Sequence, residues 1–297
     1  MTNRRYVIVL NPRGGTCRGQ DVLERVKPLF AAAGAELEIH ATRYAGHARE
    51  LAATLNLDGC AGFCVVGGDG TLHEAVNGLL QRPPVTVPPL GVIPGGTGNA
   101  VAIHLGLQDP LTAARRIIAG TTQPLDVAAV SMGAETVYCL NLVGWGCVVD
   151  ITQTAERWRW LGPPRYALAA LWHILCSRRR HARVALDGQI LEDHFLFAAG
   201  CNTKFTGKGM KLAPRAETHD GKLDVILVRH ASRFQLLRLF QRLFDGSHVA
   251  MAGVETHQVR SFAITTVGPD PLNLDGELSG ATPMSLVMRP GALRIFG

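Results

Sequence analysis

Three short stretches combine glycine with a lone polar or charged residue directly after an apolar run: Asn11-Pro-Arg-Gly-Gly15, Gly67-Gly-Asp-Gly-Thr71 and Pro94-Gly-Gly-Thr-Gly-Asn99. Glycine lets backbone N–H groups approach an anion closely, and a helix that starts there adds the positive end of its dipole. One such turn is often only a turn. Three in the first half of one chain point to a phosphate-rich ligand. Asp69 stands apart in such a cradle, because a carboxylate repels phosphate unless a cation lies between them or the carboxylate accepts a proton. Both roles fit phosphoryl transfer, where positioning and charge neutralisation supply most of the catalysis. The plainer alternative is that Asp69 caps the following helix, but Thr71, with Glu74 at capping-box spacing, suits that task better. None of the turns fits Gly-x-x-x-x-Gly-Lys-Ser/Thr, and the protein-kinase set is missing. No Gly-x-Gly-x-x-Gly follows the first apolar run, which weakens a dinucleotide dehydrogenase.

The elements that must position these turns alternate in type. Apolar runs at 6–10, 36–42, 63–66 and 90–93 read as strands, and helical spacing recurs over 22–30, 47–57, 72–80, 99–107 and 111–119. That alternation predicts an α/β domain with a parallel, Rossmann-like sheet over residues 1–128. After Asp126 the texture changes. Segments 136–143, 183–186, 194–199, 223–228 and 262–267 read as strands between turns, with helical insertions near 166–176 and 232–244. Residues 129–297 are therefore expected to form a mainly antiparallel, β-sandwich-like C-terminal domain. The last strand-like piece, 291–296, fits either domain.

Composition narrows the class. The chain has 297 residues, 47% of them apolar, enough to fill a real core. No apolar run reaches the ~20 residues that span a bilayer. Arg4-Arg5 leads into only a short apolar run, which suits a first strand better than a signal peptide. Seven scattered cysteines lack Cys-x-x-Cys or zinc spacing, and read as reduced core residues of a cytoplasmic protein. A formal charge of +6 favours anionic partners, yet neither an RNA-binding signature, a zinc finger nor a repeat is present, so nucleic acid is not expected.

Gly67-Gly-Asp-Gly-Thr71 with Gly95-Gly-Thr-Gly98 resembles the catalytic domain shared by diacylglycerol kinases, sphingosine and ceramide kinases and bacterial lipid kinases. Asn11-Pro-Arg-Gly-Gly15, His47-Ala-Arg-Glu-Leu51, the stretch from Gly70 to Leu79, and Gly144-Trp-Gly-Cys-Val-Val-Asp150 are similar to the sphingoid-lipid branch. So are Glu156-Arg-Trp-Arg-Trp-Leu-Gly162, Arg165-Tyr166, Asp220-Gly-Lys-Leu-Asp224 and Asp275-Gly-Glu277. The glycine-aspartate turn alone is shared with NAD kinases and phosphofructokinases. The resemblance implies an ATP- and Mg²⁺-dependent lipid kinase, with its active site in the cleft between a nucleotide-binding and a lipid-binding domain. It also implies residue roles. Asn11, Pro12, Arg13, Thr42 with the residues to Gly46, Gly67, Gly68, Gly70, Thr71, Glu74, Gly96, Thr97 and Gly98 would hold ATP. Arg159, Arg165, Asp275 and Gly276 would join them from the second domain. Asp69 or Glu277 would be the proton acceptor, since different branches give the role to each position. Asp220, with the backbone of Glu217 and Lys222, matches a structural magnesium site, although without the resemblance Asp-Gly at 220 and 275 reads first as a turn between strands. Asp150 and Thr152 would face the acceptor's head group. Sphingosine kinases carry a second acid where Thr152 stands, which puts sphingosine itself in question; the expected acceptor is a primary hydroxyl on a sphingoid base, ceramide, or mono- or diacylglycerol.

The helical stretches 166–175 and 232–244 read by default as core helices with solvated arginines. The functional alternative is an acyl-chain slot and an interfacial face drawn to anionic lipid, with Ser177-Arg-Arg-Arg-His181 as a basic contact. His47 either serves phosphate or closes a loop. The expected setting is cytoplasmic with peripheral membrane association, with a lipid substrate and ATP as partners and a homodimer as one mode of assembly. The rival classes are a soluble-nucleotide kinase of the NAD kinase type and a catalytically silent lipid-binding protein.

Overall fold

The computed structural model describes residues 4–14, 18–82, 87–162, 164–176, 178–207 and 209–297. Gly15, Cys17, Ser177 and the side chain of Arg159 lie outside the described part. The chain divides into two compact units, Met1–Val127 with Pro290–Gly297, and Ala128–Arg289.

In the first unit, β1 (Arg4–Leu10), β2 (Ala35–Ala41), β3 (Gly62–Gly67) and β4 (Leu90–Pro94) form a parallel sheet in the order β2-β1-β3-β4. Near the carboxyl end of the chain, Ile295 runs parallel beside Leu90. β3 and β4 are buried along their whole length, as a parallel strand covered on both faces must be, while the edge strand β2 alternates with solvent. The covering helices are α1 (Gly19–Ala32), α2 (His47–Thr54), α3 (Asp69–Leu79), α4 (Ala100–His104) and α5 (Pro110–Ala119). α1 buries Val22, Leu23, Val26 and Phe30, and α3 buries Leu72, Ala75, Val76 and Leu79, the helical stripes written in the sequence. Because β1 leads to β2 on one side and β3 returns to the other, the strand order reverses between β1 and β3. In an open α/β sheet the crevice that binds ligands lies at the carboxyl ends of such a pair.

β5 (Thr122–Met132) leads into the second unit. There β6 (Glu135–Cys139), β7 (Leu142–Gly146), α6 (Cys147–Arg157), α7 (Arg165–Cys176), β8 (Arg180–Leu186), β9 (Gln189–Phe195), β10 (Phe197–Cys201), β11 (Leu223–Val228), α8 (Arg233–Arg242), β12 (Val254–Val259), β13 (Ser261–Thr265), β14 (Pro271–Leu274), β15 (Glu277–Ala281) and β16 (Met284–Phe296) follow. One sheet runs β12-β11-β10-β7-β14-β15, and a second antiparallel set joins β16, β13, β8 and β9. Inward side chains of both, with Trp145, Phe195 and Phe262 the bulkiest, make one apolar core. Each such ring is worth roughly 1.5–3 kcal/mol of burial. The fold is thus a parallel α/β half followed by an antiparallel sandwich, as the sequence predicts. Among the described residues no helix is long and apolar enough to cross a membrane.

Several local expectations need correction. The strand read over 136–143 is two strands, β6 and β7, because residues 140–142 turn their N–H groups onto a buried carboxylate, that of Asp275. The strand read over 194–199 is likewise split between β9 and β10 at Leu196. α7 and α8 are not ordinary core helices: Trp172 is 54% exposed and Phe234 71%.

Candidate active site

The first glycine turn begins where β1 ends. Asn11 donates its side-chain amide to Thr71 Oγ1 at 2.8 Å, and its Oδ1 accepts from Arg13 N at 3.0 Å. Thr71 is therefore a buried bracket between the first and second turns rather than a helix cap. The residue ahead of α3 is Gly68, extended at φ −102, and it makes no side-chain cap. Glu74 does not close a capping box either. Its two oxygens accept from Gly46 N at 2.8 Å and Ala48 N at 3.2 Å, holding the start of α2 and the loop after Thr42.

The second and third turns touch backbone to backbone. A Cβ on Gly96 would lie 2.4 Å from Gly68 Cα, so neither position admits a side chain without parting the loops. Asn99, at a left-handed φ of 53°, clamps the third turn through Gly96 N to its Oδ1 at 3.0 Å and its Nδ2 to Gly96 O at 2.8 Å. Gly95 N donates to Gly67 O at 2.8 Å, which ties the ends of β3 and β4. The carboxyl ends of β1, β3 and β4 thus bring Asn11, Gly67, Gly68 and Gly96 into one neighbourhood, with Pro12 and Gly98 half-buried beside it and Arg13 and Thr97 exposed.

Asp69 and Gly70 open α3 in this neighbourhood, both half-buried. Asp69 Oδ1 accepts from Val101 N at a long 3.5 Å, so the carboxylate leans toward the start of α4. A niche of about 10 Å³ bounded by Val65, Gly67, Gly68, Asp69, Leu72, Val92, Asn99 and Ala102 lies under it, room for about one water. Tyr44, 58% exposed and stacked on His47 at 4.6 Å, sits in the loop after β2. His47 closes that loop by accepting from Arg43 N.

In the second unit, Asp275 and Gly276 have φ of 55° and 99° and form the two-residue hairpin between β14 and β15, the conformation Asp-Gly favours. The Asp275 carboxylate accepts from Leu140, Asn141 and Leu142 N–H at 2.8–2.9 Å and is buried. It is an anchor, and the hairpin it fixes presents Glu277, exposed, as the first residue of β15. Arg165 pairs with Glu156 at 3.4 Å, and its buried Nε finds no hydrogen-bond partner among the described residues.

Asp150 and Thr152 lie on α6, which follows Gly146; a φ of 79° and a would-be Cβ only 2.6 Å from Leu196 O both call for glycine there. Thr152 is buried; its hydroxyl donates to Val148 O at 2.9 Å and accepts from Asn273 Nδ2 at 2.9 Å. Asp150 is ion-paired to Arg180 at 2.7 Å, and Arg180 reaches Asp270 at 3.4 Å. Sequence reading missed Arg180, because it falls inside a run of three arginines with no spacing to distinguish it.

At the 217–222 turn, Lys222 N donates to Asp220 Oδ1 at 2.9 Å and Lys204 pairs with Glu217 at 2.7 Å. Asp224, which closes the quoted motif but was given no role there, is buried; burial, then the nearby Asp220 carboxylate, pushes its pKa up. These are oxygen donors with concentrated negative charge, the chemistry that suits a hard divalent cation.

Residues 5–130 match the family model described as the diacylglycerol kinase catalytic domain, and residues 141–297 match the YegS C-terminal NAD kinase beta sandwich-like domain. Sphingosine kinase 1 of Arabidopsis thaliana is 29% identical over 310 residues, which cover 88% of this chain and 64% of that protein. The chain thus spans less than two thirds of that relative's length. Diacylglycerol kinase of Bacillus subtilis (strain 168) is 30% identical over 288 residues, covering 96% of this chain and 93% of that protein. A crystal structure of a diacylglycerol kinase from Bacillus anthracis str. Sterne superposes with a TM-score of 0.72 over 99% of this chain and 96% of its own, at 24% identity, a likeness of fold. The chain belongs to the diacylglycerol kinase catalytic-domain family.

Proposed function

We propose that this family member transfers the γ-phosphoryl group of ATP to the hydroxyl of a lipid at a membrane surface. The observation that carries this reading is the backbone contact of Gly68 with Gly96 beside the half-buried Asp69, at the carboxyl ends of β1, β3 and β4. Phosphates bind where amides point outward from glycine turns at a helix start. Asn11 to Arg13, the loop after Thr42, Gly67 to Thr71 and Gly96 to Gly98 supply such a rim. Glu74 acts as a positioning residue through the start of α2. Arg165 and Arg159 belong to one helical region, and their positive charge suits an anionic oxygen.

In the reaction, the lipid oxygen forms its bond to the γ-phosphorus as the bond to the β,γ-bridging oxygen breaks, and ADP leaves. The hydroxyl proton passes to a carboxylate, for which Asp69 is the first candidate and Glu277 the second. Mg²⁺, when bound, neutralises phosphate charge; Asp69 offers an oxygen ligand near the phosphates, and Asp220, with carbonyl oxygens of Glu217 and Lys222, fits a structural ion. Asp275 with Gly276 fixes the hairpin that presents Glu277.

For the acceptor, Asp150 and Thr152 bear on head-group choice. Asp150 is already neutralised by Arg180 and the Thr152 hydroxyl is used on both sides. That favours a neutral hydroxyl lipid such as a diacylglycerol over an ammonium-bearing sphingoid base. Labelled ATP offered with a panel of lipids and with NAD tests the reading. Label on a lipid supports it. Label on NAD, or on nothing while lipid binding persists, overturns it.

A further inference from the structure

We infer a second lipid-binding place, apart from the residues of phosphoryl transfer: the end of α7 and the start of α8 hold the phosphate of an acidic phospholipid and seat the apolar face of α7 in its bilayer leaflet. On α7, Leu168, Leu171, Trp172 and Leu175 share one face by their spacing and are 42%, 40%, 54% and 58% exposed. The face toward the protein buries only Ala169 and Ala170. A helix whose large apolar side chains point outward while its alanines point inward is the reverse of a core helix.

Between the end of this helix and the start of α8 lies a pocket of about 550 Å³. Leu175, Leu196 and Leu236 line its apolar part, and Arg178, Arg179 and Arg233 its charged part. That volume suits a head group with the first methylenes of a chain, since small-molecule sites run from about 300 to 1,000 Å³. All three arginines are exposed, and among the described residues none of them makes an ion pair or a side-chain hydrogen bond. The sequence supplies no carboxylate from 164 to 186 or from 229 to 244, so the patch carries one sign.

Charge complementarity selects the occupant. A second copy of this chain would bring like charge to like, and nucleic acid would answer the arginines but leave Leu168, Leu171 and Leu175 in water. An anionic bilayer offers both phosphate for the arginines and hydrocarbon for Trp172 and Phe234. The pocket shares no residue with the phosphotransfer set, and vesicle binding is read without ATP, so this inference and the kinase reading fail separately.

The test is co-sedimentation of the full chain with vesicles of phosphatidylcholine alone, or with roughly one third phosphatidylglycerol added. Each arginine near an anionic surface is worth about a five-fold gain in partitioning. The combined Arg178→Gln, Arg179→Gln and Arg233→Gln variant should therefore lose on the order of 100-fold of its binding to the anionic vesicles. Trp172→Ser with Phe234→Ser should weaken binding to both compositions, while Val267→Ser, 95% exposed elsewhere, should bind as wild type. All of these positions are exposed, so circular dichroism should be unchanged. Equal binding to both vesicle types, wild-type binding by the arginine variant, or loss of binding on adding millimolar inorganic phosphate at constant ionic strength would each overturn the inference.

Discussion

Replacing Gly96 by alanine perturbs the phosphate rim where the geometry is least forgiving. The new Cβ would sit 2.4 Å from Gly68 Cα, 3.1 Å from Gly68 N and 3.0 Å from Asn99 Oδ1. Carbon atoms rest about 3.5–4.0 Å apart, so the second and third turns must separate by roughly 1 Å. Gly68 has no side chain to swing aside, and Asn99 is held by both of its bonds to Gly96. Overpacking of this kind costs about 1–3 kcal/mol of stability. A displacement of that size in a positioning loop costs on the order of 10²-fold in catalysis. The expected outcome is therefore a fall of about 100-fold in kcat/KM for ATP, about 2.7 kcal/mol, in a protein that still folds. Gly14→Ala is the comparison, because its Cβ would meet the Asn11 side-chain amide at 3.1 Å, a neighbour able to give a little, and its effect should be several-fold smaller. Steady-state kinetics with a lipid acceptor and urea unfolding read the two quantities. A folded Gly96→Ala variant with wild-type kcat/KM would refute the idea that these turns form the phosphate rim.

Three further outcomes are expected. Asp275→Asn keeps the shape but turns an N–H₂ toward a backbone donor among residues 140–142, so unfolding in urea should show a loss of about 2–4 kcal/mol; an unchanged midpoint would remove its anchoring role. His248 is fully buried, donating from Nε2 to Leu212 O at 3.0 Å, and burial lowers its pKa, as it does for His173. The unfolded chain takes the His248 proton near pH 6.5, so stability should be full above that pH and fall below it, by up to about 1.4 kcal/mol per pH unit from this histidine. His248→Gln should flatten the slope by about one proton, and an equal slope would count against the assignment. Arg180→Gln frees Asp150, and should raise the ratio of sphingosine to diacylglycerol turnover on the order of ten-fold, the worth of one charged hydrogen bond, whereas Arg180→Lys should not; an unmoved ratio would mean that Asp150 does not read the head group.

The two-part architecture was legible because strand and helix periods alternate cleanly up to Asp126 and then stop. The glycine turns were legible for the same reason, each following a buried apolar run. What the sequence concealed was set by partners distant in the chain. Nothing near 136–143 announces a break, since the carboxylate that imposes it is Asp275. The capping-box spacing of Thr71 and Glu74 was misleading because Asn11 and the start of α2 claim those side chains instead. Apolar spacing in α7 marked a helical face without saying whether it points to core or solvent. Arg180 and Asp224 carry their meaning only through neighbours, Asp150 for the one and Asp220 with Glu217 for the other.

The most direct measurement compares wild type with Asp69→Asn, an isosteric change at the carboxylate in the glycine rim, by titrating ATP binding and by following phosphate transfer to lipid in parallel. The account predicts ATP affinity within a few-fold of wild type and turnover at background. Turnover at the wild-type rate would contradict it.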